Sequence, residues 1–146
     1  MRISIAADHA GFDFKERLER ELVAAGHEVR DFGTDSADSC DYPDHGVPAA
    51  RSVADGSSER AVLVCSNGIG MSMLANRIPG VKAALVYSER SAAMTRRHHG
   101  SNVLCLGAGE FPPEELLKWV RIWLSEPFEG GRHERRIAKV VALDRK

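Results

Sequence analysis

The chain has 146 residues, and 43% of them are hydrophobic, which is enough to bury one core, so we expect a single domain over residues 1–146. Twenty basic and twenty-one acidic residues give a net charge of -1, which excludes an overall field that would hold nucleic acid or an anionic membrane. An odd number of cysteines, three, without the close spacing of metal ligands argues against a disulfide framework or a zinc site. No apolar run is long enough for a membrane span, so we expect a cytoplasmic protein.

Short β-rich runs alternate along the chain with longer stretches of helical periodicity. This alternation is typical of an α/β fold, in which a parallel sheet carries helices on both faces. In chain order, the predicted strands are residues 3–7, 29–32, 61–65, 81–87 and 102–106. The predicted helices are residues 12–25, 47–54, 71–76, 88–97, 112–124 and 132–143. The polar stretch 33–44 is predicted to be a loop.

Several reactive side chains lie next to the predicted strands. Asp8 and His9 follow the first strand, Cys65 ends the third, and His98 comes just before the fifth. In an open parallel sheet, ligands bind beyond the carboxyl ends of the strands. We therefore expect these four side chains to converge on one site.

Cys65 is the most informative of these residues, because the glycine-bearing turn Ser66-Asn67-Gly68-Ile69-Gly70 follows it at once. The glycines allow a tight turn, and the free N–H groups of the next helix would face the same pocket. A cysteine in this setting can act as a base, a nucleophile or a phosphoryl acceptor. The alternative is a small core residue at a strand end.

The other candidates each have a plain structural alternative. Asp8 can orient the imidazole of His9 or simply cap a helix. His98 can pass a proton near neutral pH or belong to a solvated helix end. Arg132 and Arg136 are four residues apart and would share one helical face, where they could bind a phosphate or just face solvent.

Several motifs occur in a specific order along nearly the whole chain: Asp8-His9-Ala10-Gly11-Phe12, Asp41-Tyr42-Pro43, residues 65–70, Ala75-Asn76, His98, Asn102-Val103-Leu104 and Gly130-Gly131-Arg132-His133. Together they resemble the type B ribose-5-phosphate isomerase family, which includes galactose-6-phosphate isomerase subunits. The resemblance implies a three-layer α/β/α, Rossmann-like fold with a C-terminal helical tail. It also implies a small-molecule sugar phosphate as the partner, no cofactor, no metal, and a homodimer or dimer of dimers with shared active sites, in which the tail 127–146 packs on the partner subunit.

The resemblance further implies a role for each matched residue. Cys65 matches the base that moves a proton between C1 and C2 through an enediolate, and His98 matches the acid that opens the furanose ring. Asn67 lies in the catalytic loop, whose amides would stabilise the enediolate charge. The positions that match substrate-binding residues are Asp8, His9, Tyr42, Ser66, Gly68, Ile69, Gly70, His99, Arg132 and Arg136. The two arginines would reach the phosphate from the neighbouring subunit.

Four positions depart from the family pattern. The loop commonly reads Cys-Gly-Thr-Gly, whereas this chain has Ser66 and Asn67 after the cysteine. His99 stands where asparagine is usual, and Gly109 where many members have a phosphate-contacting arginine. Because Cys65 and His98 both match, the chemistry is still expected to be that of an aldose-ketose isomerase, with ribose 5-phosphate as the first choice of substrate. Another tetrose, pentose or hexose phosphate, such as allose or galactose 6-phosphate, is the alternative.

Two function classes other than an isomerase stay open. A cysteine above an amide-rich loop can also carry a phosphoryl group, but a phosphatase loop of that kind needs an arginine near Met71, and the sequence has none there. A non-catalytic sugar-phosphate-binding module is the second. Dinucleotide binding is disfavoured because no G-x-G-x-x-G motif opens the first helix.

Overall fold

Five parallel strands form the central sheet of the structure, a computed structural model that describes residues 1–145. The strands are β1 (Arg2–Ala7), β2 (Glu28–Asp31), β3 (Arg60–Cys65), β4 (Ala83–Leu85) and β5 (Val103–Gly107). Their order across the sheet is β2-β1-β3-β5-β4. The predicted α/β fold with a five-stranded parallel sheet is confirmed.

Helices cover both faces of this sheet, as the resemblance implied. They are α1 (Phe12–Ala24), α2 (Tyr42–Ala54), α3 (Ile69–Ala75), α4 (Glu89–His99), α5 (Pro113–Ser125) and α6 (Arg132–Val141). Apolar side chains of α1, α4 and α5 pack on one face, and those of α2 and α3 pack on the other. Helix α6 lies outside these layers, against α4. Within residues 1–145, none of the helices combines the length and apolar character needed to cross a membrane.

The alternation of side chains along the central strands builds the two cores. In β3, Val62 and Val64 pack with α1 and α5, whereas Leu63 and Cys65 pack with α2 and α3. All four are almost completely buried, because a central parallel strand is covered on both faces. The continuous apolar run that predicted this strand reflects that double burial.

Helix α2 is the one element whose predicted bounds were wrong by more than two residues. It begins at Tyr42 rather than at residue 47, so the last part of the predicted loop 33–44 is helical. Pro43 is tolerated because it lies in the first turn, where its missing N–H has no partner to lose. Gly46 allows close contact with α3, since a Cβ there would lie 2.6 Å from Met71 Sδ. Tertiary packing therefore maintains a helix in a segment whose composition disfavours one.

The remaining differences concern the ends of elements. The edge strand β4 has one neighbour and is two residues shorter at each end than predicted. Ser88 caps α4 as expected, accepting a hydrogen bond from the Ser91 N–H at 3.0 Å, and the helix continues through His99. After α6 the chain forms a short 3-10 turn instead of one continuous helix to residue 143. Lys146, the end of the predicted tail, lies outside the described residues.

Candidate active site

Cys65 lies at the carboxyl end of β3, beside the end of β1. The strand order reverses between these two strands, and ligands of open α/β sheets bind at such a point. The Asp8 N–H donates to the Val64 carbonyl oxygen at 3.2 Å, so Asp8 and Cys65 are neighbours at this edge. Cys65 is 5% exposed and therefore opens only slightly to solvent.

The loop after Cys65 turns back towards the sulfur. The Gly68 N–H donates to Cys65 Sγ at 3.1 Å, and the Ile69 N–H donates to Asn67 Oδ1 at 3.0 Å. Gly68 has a φ of +77°, which favours glycine, and a Cβ there would lie 2.6 Å from Leu85 Cδ1. The sequence thus places a main-chain donor against the thiol, where it can stabilise negative charge on sulfur or on a bound oxygen.

The 3-10 turn after β1 positions Asp8 and His9. Asp8 Oδ1 accepts hydrogen bonds from the N–H groups of Ala10 at 3.0 Å and Gly11 at 3.3 Å, so the capping role considered for Asp8 is confirmed. His9 is exposed, and its Nδ1 accepts the Cys40 N–H at 3.1 Å. A neutral His9 ring must therefore carry its proton on Nε2, where it can donate to a ligand. Cys40 was not among the predicted site residues, because nothing in its local sequence marks this contact.

Tyr42 lies over the cysteine loop. It occupies the first turn of α2, and a Cβ at Gly70 would lie 2.6 Å from its Cζ. The close contact of the ring with the Gly70 backbone needs a glycine at that position. Asp8, His9, Tyr42 and the loop 66–70 therefore gather at the Cys65 edge, as predicted.

His98 does not lie at this edge. Helix α4 runs from Glu89, near the carboxyl ends of the strands, to His99 near their amino ends, where the Asn102 N–H donates to the Lys82 carbonyl oxygen at 3.0 Å. An α-helix of this length rises about 15 Å. The prediction that His98 joins Cys65 at one sheet edge is therefore wrong for a single chain. The physical reason is that a crossover helix returns the chain to the start of the next parallel strand.

At the amino end, His98 belongs to a different cluster, with Glu129 and His133. The rings of His98 and His133 are stacked, with centroids 4.1 Å apart and planes 8° apart. Glu129 Oε2 lies 3.9 Å from His98 Nε2 and 3.6 Å from His133 Nε2. Burial, with the nearby charges of His98 and Arg132, holds the pKa of His133 below its ordinary value. Glu129 and His133 were not among the predicted site residues, although His133 belongs to the Gly130-Gly131-Arg132-His133 motif and Glu129 directly precedes it.

The two predicted phosphate ligands lie beside this cluster. Arg132 and Arg136 are exposed on the first part of α6, and within residues 1–145 neither forms an ion pair. His99 is exposed on α4 and lines a cavity of about 400 Å³ between β4, α4 and α6, together with Lys82. One chain therefore keeps the thiol and the predicted acid and phosphate ligands in two groups, at opposite edges of the sheet.

Comparison with known proteins relates this arrangement to a family. Residues 3–140 match the ribose/galactose isomerase family. The chain belongs to that family. It is 34% identical to ribose-5-phosphate isomerase B of Escherichia coli, over 99% of this chain and 97% of that protein. It is 33% identical to a D-erythrulose-4-phosphate isomerase of Pectobacterium atrosepticum, over 96% of this chain and 93% of that protein.

A solved structure supports the same assignment. Ribose-5-phosphate isomerase B of Mycoplasma genitalium, with bound ribulose-5-phosphate, aligns with a TM-score of 0.96 and 39% identity. The alignment covers 99% of this chain and 97% of that chain. The predicted family and enzyme class are confirmed: the chain is a sugar-phosphate isomerase of the ribose/galactose isomerase family.

Two positions that the sequence comparison marks as unusual, Ser66 and Gly109, are in direct contact. The Gly109 N–H donates to the Ser66 carbonyl oxygen at 2.8 Å, and a Cβ at Gly109 would lie 2.9 Å from Ser66 Oγ. A side chain at position 109 would therefore meet both the Ser66 hydroxyl and, at 3.0 Å, the Ser66 carbonyl oxygen, and only the first of these contacts depends on the serine side chain.

Two groups of described residues could hold a metal ion, and neither includes Cys65. His98, Glu129 and His133 form one, and Glu16, Glu19 and Asp31 form the other, each with its donor atoms within 4.8 Å of one another. In the second group, the buried Lys15 ammonium already pairs with Glu16 and Asp31, which leaves less negative charge for a cation.

Proposed function

We propose that this isomerase interconverts ribose 5-phosphate and ribulose 5-phosphate at a site completed by two copies of the chain. The observation that carries the proposal is the hydrogen bond that the Gly68 N–H donates to Cys65 Sγ at 3.1 Å. This bond lies at the carboxyl ends of the strands, where open parallel sheets bind ligands. The bound ribulose-5-phosphate in the Mycoplasma genitalium structure supports the choice of substrate. A single domain over residues 1–146, a cytoplasmic location and a place in the pentose phosphate pathway stay predictions.

Cys65 is the base in this proposal. As a thiolate it takes the proton from C2 of the open-chain aldose, and the released electron pair forms the C1–C2 double bond of an enediolate, with negative charge on O1. The Gly68 N–H and its neighbours in the loop stabilise that charge. The thiol then returns the proton to C1 while the O2 hydroxyl proton passes to O1, which gives the ketose. Asn67 holds the loop in shape through its bond to the Ile69 N–H.

The separation of the two groups supports a site shared between subunits. Neither of the predicted phosphate ligands lies at the Cys65 edge of its own chain. Arg132 and Arg136 present their guanidinium groups at the opposite edge. A two-fold related copy that places its α6 edge on the Cys65 edge of the first copy completes two equivalent sites. The exposed apolar side chains Val140 and Leu143, at the end of the tail, suit burial against that copy, in a homodimer or dimer of dimers.

In the completed site, each remaining residue has a task. His98 donates a proton to the ring oxygen of the furanose while the Asp8 carboxylate takes the proton of the C1 hydroxyl, so that the open-chain form reaches Cys65. Arg132 and Arg136 bind the phosphate. His9 donates its Nε2 proton, and Tyr42 and His99 contact the substrate.

Substrate identity is the part of the proposal that most needs a test. Gly109 lacks the phosphate-contacting arginine of many members, and one relative is named as an isomerase of a four-carbon sugar phosphate, so another tetrose, pentose or hexose phosphate is the alternative. A coupled isomerase assay over a panel of four- to six-carbon sugar phosphates decides between them. We expect the highest kcat/KM for ribose 5-phosphate.

Other outcomes of the panel have distinct meanings. A higher kcat/KM for a different sugar phosphate would overturn the substrate and leave the isomerase chemistry standing. Binding without turnover of any sugar would indicate a non-catalytic module. A phosphoryl group recovered on Cys65 would indicate phosphotransfer and contradict the proposed base.

A further inference from the structure

We propose that His98, Glu129 and His133 form a Zn²⁺ site, and that bound zinc inhibits the isomerase by occupying His98 Nε2. The inhibition rests on the proposed function, because it assumes that His98 donates a proton from this nitrogen. The zinc site itself rests on geometry alone. Zinc acts here as an inhibitor and not as a cofactor of the reaction.

The donor atoms are close to the spacing that zinc requires. Zn–N bonds of about 2.0–2.1 Å and a similar Zn–O bond place tetrahedral ligand atoms about 3.3 Å apart. Glu129 Oε2 lies 3.6 Å from His133 Nε2 and 3.9 Å from His98 Nε2. All three donor atoms lie within 4.8 Å of one another. Movements of a few tenths of an ångström at the carboxylate, with a larger adjustment between the two rings, would close the site.

His133 provides the second observation that points to a ligand. This residue is 8% exposed, and its Nε2 is a buried nitrogen for which residues 1–145 provide no hydrogen-bond partner. A buried polar atom without a partner costs about 1–3 kcal/mol of folding free energy. The nitrogen faces the Glu129 carboxylate, so a cation between them would satisfy both groups.

The main chain fixes two of the three ligands. The Glu129 N–H donates to the Arg97 carbonyl oxygen at 2.9 Å, which ties the loop to the end of α4. The His133 N–H donates to the Gly130 carbonyl oxygen at 3.1 Å at the start of α6. The backbones of Glu129 and His133 are therefore positioned independently of any ligand, so that only their side chains have to adjust on binding.

His98 is the ligand that must move. The lone pairs of two stacked imidazoles lie in nearly parallel planes, so one ring has to tilt before both nitrogens can point at one ion. The His98 side chain is 33% exposed and lies one residue from the end of α4, which leaves room for that tilt. Two imidazoles and one carboxylate are a known ligand set for zinc, with water in the fourth position.

Direct binding tests the site without depending on activity. The full chain carrying Cys40→Ser and Cys65→Ser, freed of metal with EDTA, is titrated with Zn²⁺ against a chromophoric chelator. We expect one zinc ion per chain in this thiol-depleted protein. Glu129→Gln should weaken binding at least about 10-fold, whereas Glu134→Gln, the same charge change nearby on α6, should leave it unchanged. Equal binding in both variants, or no binding without the thiols, would overturn the site.

Inhibition is measured separately on the protein with its native cysteines. EDTA-treated enzyme should be active, added Zn²⁺ should inhibit it, and EDTA should reverse the effect. Each variant is compared with its own rate without zinc. The Zn²⁺ concentration that halves this rate should be at least about 10-fold higher for Glu129→Gln than for Glu134→Gln. Zinc binding with no inhibition would overturn the inhibitory role alone. A protein that binds zinc at this site but turns over no sugar in the panel would refute the proposed function and not the zinc site.

Discussion

Replacing Gly68 with alanine tests the loop that we hold responsible for charge stabilisation at Cys65. Gly68 has a φ of +77°, and an alanine in this left-handed region costs about 1–2 kcal/mol of stability. Its Cβ would also lie 2.6 Å from Leu85 Cδ1 and 2.9 Å from the Leu106 backbone carbon. The leucine side chain can rotate away, but the backbone of β5 cannot, so overpacking adds about 1–3 kcal/mol.

Gly56→Ala is the matched control for this substitution. Gly56 has a φ of +80°, and nothing lies within 4 Å of the position of a Cβ. It therefore isolates the cost of the left-handed backbone from the cost of crowding. The free energy of unfolding of Gly68→Ala should fall about 1–3 kcal/mol further than that of Gly56→Ala. For a chain of this size, the difference in Tm is at least about 2 °C.

Urea unfolding and turnover of the preferred sugar phosphate are the two assays for this pair. Gly56→Ala should keep the kcat of the original enzyme, because its site lies far from the loop. Gly68→Ala should lose kcat by at least about 10-fold, since moving its N–H away from Cys65 Sγ removes a donor from the developing charge. Equal losses of stability in both variants would refute the steric argument. An unchanged kcat in folded Gly68→Ala would refute the role of this amide.

Three further substitutions test other parts of the site. Cys65→Ala should lower kcat by at least about 10²-fold because it removes the base, and the protein should stay folded with a lower Tm from the lost packing of the buried sulfur. Turnover close to that of the original enzyme would remove the base assignment. His98→Asn should slow ring-closed aldose phosphates more than an open-chain tetrose phosphate, and equal losses on both would contradict its role in ring opening. Gly109→Arg should lower Tm, because a Cβ at position 109 meets Ser66 Oγ at 2.9 Å. Adding Ser66→Gly should recover part of that loss of Tm. No recovery would show that the Ser66 side chain does not crowd this position.

The sequence predicts most of the fold because local pattern and tertiary structure agree over most of the chain. The buried run that ends in Cys65 can be read from its apolar residues alone, and Ser88 marks the start of α4 as a cap. The start of α2 could not be predicted in this way. Gly46 and Pro48 disfavour a helix locally, and contact with Met71 across the α2–α3 interface overrides that preference.

The candidate site is predictable only in part, for a geometric reason. Residues that directly follow strands, such as Asp8 and Cys65, have positions determined by the strand itself. His98 precedes a strand at the end of a crossover helix, and its place at the opposite edge follows only when the helix direction is considered. The contacts of Glu129 with two histidines depend on how the tail folds back on α4, which no local pattern encodes.

A subunit-mixing experiment tests the shared site most directly. Cys65→Ala and Arg132→Ala proteins, each expected to retain little activity alone, are mixed, unfolded and refolded together, and the heterodimers are purified by two different tags. If each site takes its thiol from one chain and its phosphate ligands from the other, every heterodimer has one intact site and should show roughly half of the original activity. Heterodimers as inactive as the two parents would show that the thiol and the guanidinium groups do not act on one substrate across a subunit interface.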